Sequence, residues 1–194
     1  MTQHDQLAAP PTPSAGWAAR RVSDRLPQFP WDLLEPYRER ASQAPGGVAD
    51  LSVGTPVDPT PEVVQKALRR AADAPGYPQT YGTSALREAA AGWLARRLGA
   101  TGADPAGILP TIGSKELVAG LPALLGLGPG DVVVHPELAY PTYDIGARLC
   151  GAEPVATDSL VAVGPRRVAL VWLNSPSNPT GRVLPVEHLR KVVR

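Results

Sequence analysis

Three short stretches hold groups whose type and spacing could do chemistry. Gly113-Ser114-Lys115 stands between the apolar run Ile108–Ile112 and a helical pattern. A strand that turns through glycine into a helix leaves two or three backbone N–H groups unpaired at the positive end of the helix dipole. Such a start can hold an anion or simply cap the helix. Asn174-Ser-Pro-Ser-Asn-Pro-Thr-Gly181 follows the continuous apolar run Val168–Leu173, and ligands of parallel sheets bind at the carboxyl ends of such strands. Two Asn and two Pro make this loop rigid. Asn178 precedes Pro179, a bond that adopts cis at modest cost and would then aim the Asn amide into a cleft. The same composition also suits a plain turn.

Tyr140, in Ala139-Tyr-Pro-Thr-Tyr143, follows another apolar strand; its flat ring can stack on a planar ligand or pack, with its hydroxyl in water. The Gly76–Gly82 stretch, with Tyr77 and Tyr81, suits either a surface that meets a ligand or second subunit or a simple link between helices. His135 ends a buried strand beside Pro136 with no carboxylate or serine placed for a triad, and is read as structural. Cys150 follows helical Leu149 and reads as core.

These groups need a scaffold, and the pattern supplies one. Leu33, Leu34 and Tyr37 predict a short helix from Trp31 to about Ser42. Thr60 is expected as the N-cap and Pro61 as the first residue of a helix bearing Val63, Val64, Ala67 and Leu68. A longer helix is expected from Thr83 to Leu98, closed by Gly99. Ile108–Ile112 reads as a short strand, and Ser114 to Leu127 as a helix kinked at Pro122. From there helix and strand alternate: strand Asp131–His135, helix Tyr140–Leu149, strand Glu153–Thr157, strand Val168–Leu173 and a helix from Pro185. Strands joined by helical crossovers predict an α/β domain, with a mainly parallel sheet covered on both faces. Residues 1–14 lack a period and read as a mobile extension.

Composition narrows the function classes. With 43% hydrophobic and 19% charged residues, 194 residues can bury a core, and 23 Pro with 19 Gly stay below low-complexity levels. A net charge of +1 provides no field that favours nucleic acid or an anionic membrane. The single Cys150 cannot form an internal disulfide, and His4, His135 and His188 have no zinc-site spacing, so no metal is expected. The apolar stretch Leu117–Leu127 is too short to span a bilayer and the N-terminus is polar, which points to a cytoplasmic protein.

Taken in order, Gly54-Thr-Pro, Tyr77 with Gly82 and Leu86-Arg87, Gly113-Ser-Lys-Glu116, Pro129-Gly-Asp131, Tyr140-Pro-Thr-Tyr143, Gly151-Ala-Glu-Pro154 and Asn174–Gly181 resemble the class I and II aminotransferases of pyridoxal-phosphate fold type I. The likeness covers about residues 27–194, and the Asn-Pro-Thr-Gly element among these companions is its specific part. Leu26–Asp32 and Leu51–Asp58 look most like bacterial N-succinyldiaminopimelate aminotransferases of lysine and cell-wall biosynthesis.

The resemblance implies roles. Ser114 and Lys115, after Gly113, would hold the phosphate of pyridoxal 5'-phosphate through backbone N–H groups. Tyr140 would stack on the pyridine ring and Asn178 would hydrogen-bond its phenolic oxygen. Tyr77 would reach the phosphate of the neighbouring subunit in a homodimer, and the Gly54 backbone would approach the substrate carboxylate. It also implies an N-terminal extension over 1–26, an arm with part of the small domain over 27–75 and part of the large cofactor-binding domain over 76–194. The substrates would be glutamate and a keto acid, N-succinyl-2-amino-6-oxopimelate. No lysine here matches the one that forms the Schiff base: Lys66 lies on an amphipathic helix, Lys115 in the phosphate loop and Lys191 near the last residue. A truncated chain, with that lysine beyond Arg194, is therefore expected. A non-catalytic fragment and a lyase of the same fold remain the alternatives.

Overall fold

The computed structural model describes residues 22–193. The extension expected over residues 1–26 lies, through residue 21, outside the described residues. The chain forms two compact units: one runs Pro30–Leu117, and the other joins the segment ending at Phe29 to everything from Val118 onward.

Within Pro30–Leu117, a single 3-10 turn, Asp32–Leu34, leads into helix α1, Glu35–Ser42. Helix α2, Glu62–Ala71, begins one residue later than expected. Pro61, with φ −53° and ψ 141°, is the cap residue, and no side chain caps this helix. Thr60 contributes its carbonyl instead, accepting from Gln65 Nε2 at 2.7 Å. Helix α3, Ser84–Leu98, begins one residue later than expected and ends where expected. Thr83 Oγ1 accepts the Leu86 N–H at 3.2 Å, and Gly99 closes the helix at φ 68°, a conformation that a Cβ would penalise.

The expected strand Ile108–Ile112 does not form. Pro110 has no N–H to donate, and no ladder partner exists for this segment among the described residues. A short apolar run becomes a strand only where another strand completes its hydrogen bonds, which local sequence does not specify.

Helix α4, Ser114–Leu124, carries Pro122 inside it, buried. After the turn at Pro129-Gly130 comes strand β1, Val132–His135, buried at every residue. Helix α5, Thr142–Cys150, precedes strand β2, Glu153–Ala156; a one-turn helix α6, Leu160–Val163, which the sequence pattern did not indicate, precedes strand β3, Val168–Val171; helix α7 spans Val186–Val193. The three strands are all parallel in the order β2-β1-β3, so β1 is central and the carboxyl ends share one edge.

Alternate residues of β1 sort the core onto two faces. Val133 packs with Ala147 of α5, Ala152, Leu170 and Trp172; Val132 and Val134 pack with Val163 of α6, Val155 and Val171. Asp131 pins the entry to the sheet. Its Oδ2 accepts the Gly128 N–H at 3.0 Å, and Arg167 Nε stands 3.2 Å from Oδ1 as an ion-pair partner. Within α5, Asp144 binds the Arg148 guanidinium through two hydrogen bonds of 2.6 and 3.0 Å, which raises the Arg148 pKa further above its ordinary value. Acid in the first turn and base in the last also suit the helix dipole.

Glycine is required where α4 meets α5. A Cβ on Gly146 would sit 2.9 Å from the Val118 carbonyl oxygen and 3.0 Å from that of Ala119. Val118 is four residues before Pro122, which lacks the N–H that would bond this carbonyl in a regular helix. The proline and the glycine thus meet at the same backbone group.

Candidate active site

In the unit that holds the sheet, two candidate segments leave the same edge. Past β1, Tyr140 is 36% exposed, and its carbonyl accepts the Tyr143 N–H at 3.3 Å as the chain enters α5. Past β3, the Trp172 N–H donates to the Val134 carbonyl at 2.8 Å, extending the pairing with β1 beyond the strand itself. The Tyr143 and Trp172 rings lie 5.3 Å apart, tilted by 51°. Thr142, at the start of α5, is buried, and its Oγ1 and the Trp172 Nε1 are buried without a hydrogen-bond partner among the described residues.

The Asn174–Gly181 loop is braced by its own groups. Asn174 Oδ1 accepts the Asn178 N–H at 2.8 Å, and Ser175 Oγ accepts the Leu184 N–H at 3.0 Å. The Ser177 N–H donates to the Arg182 carbonyl at 2.8 Å, and the Gly181 N–H to the Ser177 carbonyl at 2.7 Å. Both Ser175-Pro176 and Asn178-Pro179 are cis. Asn178 is exposed, and its side-chain amide has no hydrogen-bond partner among the described residues.

A cavity of about 550 Å³ opens at this edge, with Val134, Val171 and Trp172 among its apolar lining and Asn174, Ser177 and Thr180 among its polar lining. Tyr140 and Asn178 do not line it. His135, read as structural, is 8% exposed with Nδ1 3.0 Å from the Pro136 carbonyl. The half-buried Cys150 packs on the α5 side of the core, its Sγ 3.1 Å from the Ala147 carbonyl.

In the other unit, Gly113 precedes the first turn of α4, where the Leu117 N–H donates to the Gly113 carbonyl at 3.2 Å. The Glu116 carboxylate folds back over that start, one oxygen 2.7 Å from the place a Gly113 Cβ would take. Ser114 and Lys115 are exposed. Tyr77 is fully exposed, and a Cβ on Gly54 would meet nothing within 4 Å. Gly82 is buried at φ 75° against Pro110, whose Cγ lies 2.9 Å from its Cβ position. The Arg87 guanidinium sits 5.3 Å from the Tyr81 ring centre, which holds the Tyr77–Tyr81 loop to α3. Lys66 is paired with Glu62 at 3.0 Å on the exposed surface of α2, and Lys191 is exposed on α7.

Sequence reasoning singled out Asn178 but passed over Asn174, Tyr143 and Trp172. For Asn174 a partial signal existed, since an Asn side chain readily accepts from a backbone N–H shortly after it, and Pro176, two residues on, has none to give. For the aromatic pair none did, because 29 positions separate the two rings in sequence.

Comparison with known proteins places this geometry in a family. The chain is 58% identical over 168 residues to the 4-dedimethylamino-4-oxo-anhydrotetracycline transaminase OxyQ of Streptomyces rimosus, covering 87% of this chain and 46% of that protein. It is 59% identical over 172 residues to a probable aminotransferase of Mycobacterium tuberculosis, covering 89% and 41%. A probable N-succinyldiaminopimelate aminotransferase from Thermus thermophilus superposes with a TM-score of 0.72 at 32% identity, over 84% of this chain and 48% of that one. The chain thus spans under half the length of these relatives. The family pattern for aminotransferase class I and II matches residues 47–194, a stretch that runs from before Gly54 through the braced Asn174–Gly181 loop, and the chain belongs to that family.

Proposed function

We propose that the protein of which this chain is a part moves amino groups between glutamate and a keto acid, with pyridoxal 5'-phosphate as its cofactor. The family uses that cofactor, which supplies an electron sink for the carbanion formed at the amino-acid α-carbon. Residues of this chain suit it. At the start of α4, Ser114 and Lys115 are exposed beside Gly113, as a phosphate-binding helix start requires. The exposed Asn178 amide offers donors to a planar ligand at the sheet edge, and the half-exposed Tyr140 ring offers a stacking face.

In this reading the backbone N–H groups of Ser114 and Lys115 hold phosphate, Tyr140 covers one face of the ring, and Asn178 donates to the ring oxygen. Gly54 leaves room for a substrate carboxylate, and Tyr77, fully exposed in this chain, reaches across a homodimer to the neighbouring phosphate. The observation that carries the reading is the unpartnered Asn178 amide on a loop whose backbone is hydrogen-bonded to itself at the carboxyl edge of a parallel sheet. A cytoplasmic location fits a chain in which no described helix is long and apolar enough to cross a membrane.

For the acceptor we infer N-succinyl-2-amino-6-oxopimelate, on the likeness of Leu26–Asp32 and Leu51–Asp58 to the enzymes that use it. A second reading is favoured by the 58% identity to the tetracycline-pathway transaminase: amination of a ketone on a fused ring. Turnover assays of the whole protein separate them. Preference for the succinylated keto acid supports the first, preference for a cyclic ketone supports the second, and no transfer from glutamate to either overturns both.

A further inference from the structure

We propose that Asn174 is a positioning residue, whose side-chain oxygen fixes the backbone of residue 178 and so sets where the Asn178 side chain can meet a ligand. This deepens the reading above and rests on it for the identity of the ligand. The argument begins with the loop's donors. Pro176 and Pro179 have no N–H, and the N–H groups of Ser177, Gly181 and Leu184 are taken by the Arg182 carbonyl, the Ser177 carbonyl and Ser175 Oγ. The Asn178 N–H is taken by Asn174 Oδ1, at 2.8 Å.

Asn174 stands three residues past Val171, the last of β3, and Trp172 between them is itself bonded to β1. The acceptor is therefore carried by backbone held in the sheet, while the donor belongs to an exposed residue four positions on. Holding the backbone of residue 178 to the strand end limits where its amide can point and removes its own N–H as a competing donor. An oxygen acceptor at Asn174 is the requirement. Asp meets it, Ala does not, and Gln displaces it by a methylene.

The test uses the full chain, ¹⁵N-labelled and without cofactor, followed by NMR. Losing one hydrogen bond at Asn174→Ala should speed exchange of the Asn178 backbone N–H about fivefold, with Val133 and Val134 of β1 unchanged. Asn174→Asp should restore the slow rate, and Asn174→Gln should not. If the Ala variant does not fold, the Asp and Gln variants still decide the matter. Unchanged exchange at Asn178 in the Ala or Gln variant, equal acceleration throughout β1, or failure of Asp to rescue would overturn the proposal.

Pyridoxal phosphate is then titrated into the wild type and the Ala and Asp variants. A shift of the Asn178 side-chain N–H resonances in the wild type, diminished in Ala and regained in Asp, is the expected signature. No shift in the wild type overturns the cofactor contact while leaving the exchange result standing, so the two failures are distinct. A shift of equal size in all three overturns the positioning role alone.

Discussion

The Tyr143 ring lies 5.3 Å from that of Trp172, so the first turn of α5, three residues past Tyr140, is packed against the residue that follows β3, two before Asn174. The two segments proposed to hold the cofactor ring are joined by this pair, at the end of the core that also contains Val133 and Leu170. Trp172→Ala removes that contact and leaves a void beside Ala147. It should destabilise the chain by about 3 kcal/mol, with Tyr143→Leu costing about 1 kcal/mol, both read from urea unfolding followed by far-ultraviolet circular dichroism. A Trp172→Ala chain as stable as the parent would show that the pair carries no packing energy.

Gly146→Ala is the smallest substitution with a large expected effect. The new methyl would stand 2.9 Å from a backbone carbonyl of α4, so a helix must shift. A loss of about 1–3 kcal/mol is expected in the same unfolding assay, against the gain that alanine normally brings to a helix interior. A stabilised variant would mean that α4 and α5 pack less closely than described.

Acid should open the turn at Asp50 only below the ordinary carboxylate range. The Ser52 hydroxyl and then the Ser52 N–H donate to Asp50, at 2.6 and 2.9 Å, and lower its pKa, with a further contribution from Arg38. A depressed folded-state pKa means that the turn is held above the unfolded value and released as pH falls through the folded one. The Ser52 amide resonance followed against pH should therefore move at a pH below that of a model aspartate peptide. Ser52→Ala should bring the midpoint back up.

Among the lysines of this chain, Lys66 is paired with Glu62 on an exposed helix, Lys115 is exposed, and Lys191, which lines the cavity at the sheet edge, is exposed on α7. A nucleophilic lysine needs a desolvated position facing the reacting carbon. Incubating the chain with pyridoxal phosphate and reducing with borohydride should label no single peptide by mass spectrometry. Stoichiometric labelling of one lysine would place the nucleophile within these residues and overturn this expectation.

What the sequence alone determined is what depends on neighbours a few residues away. The helix start near Thr83 and the stop at Gly99 need only local residues of the right type, and the wholly apolar Val132–Val134 run cannot be stable except buried. The Asn174–Gly181 segment was legible as a rigid loop after a strand because Asn and Pro dictate local geometry. The tertiary structure alone decided what depends on partners far along the chain. Ile108–Ile112 had strand character but no strand to pair with among the described residues, and β1 became the centre of the sheet through partners that follow it. Gly146 became indispensable only because Val118 and Ala119 come to rest against it. The bond from Asn174 to Asn178 lies between these cases: four residues separate its ends, but its bearing on the site comes from β3, which holds one end in the sheet.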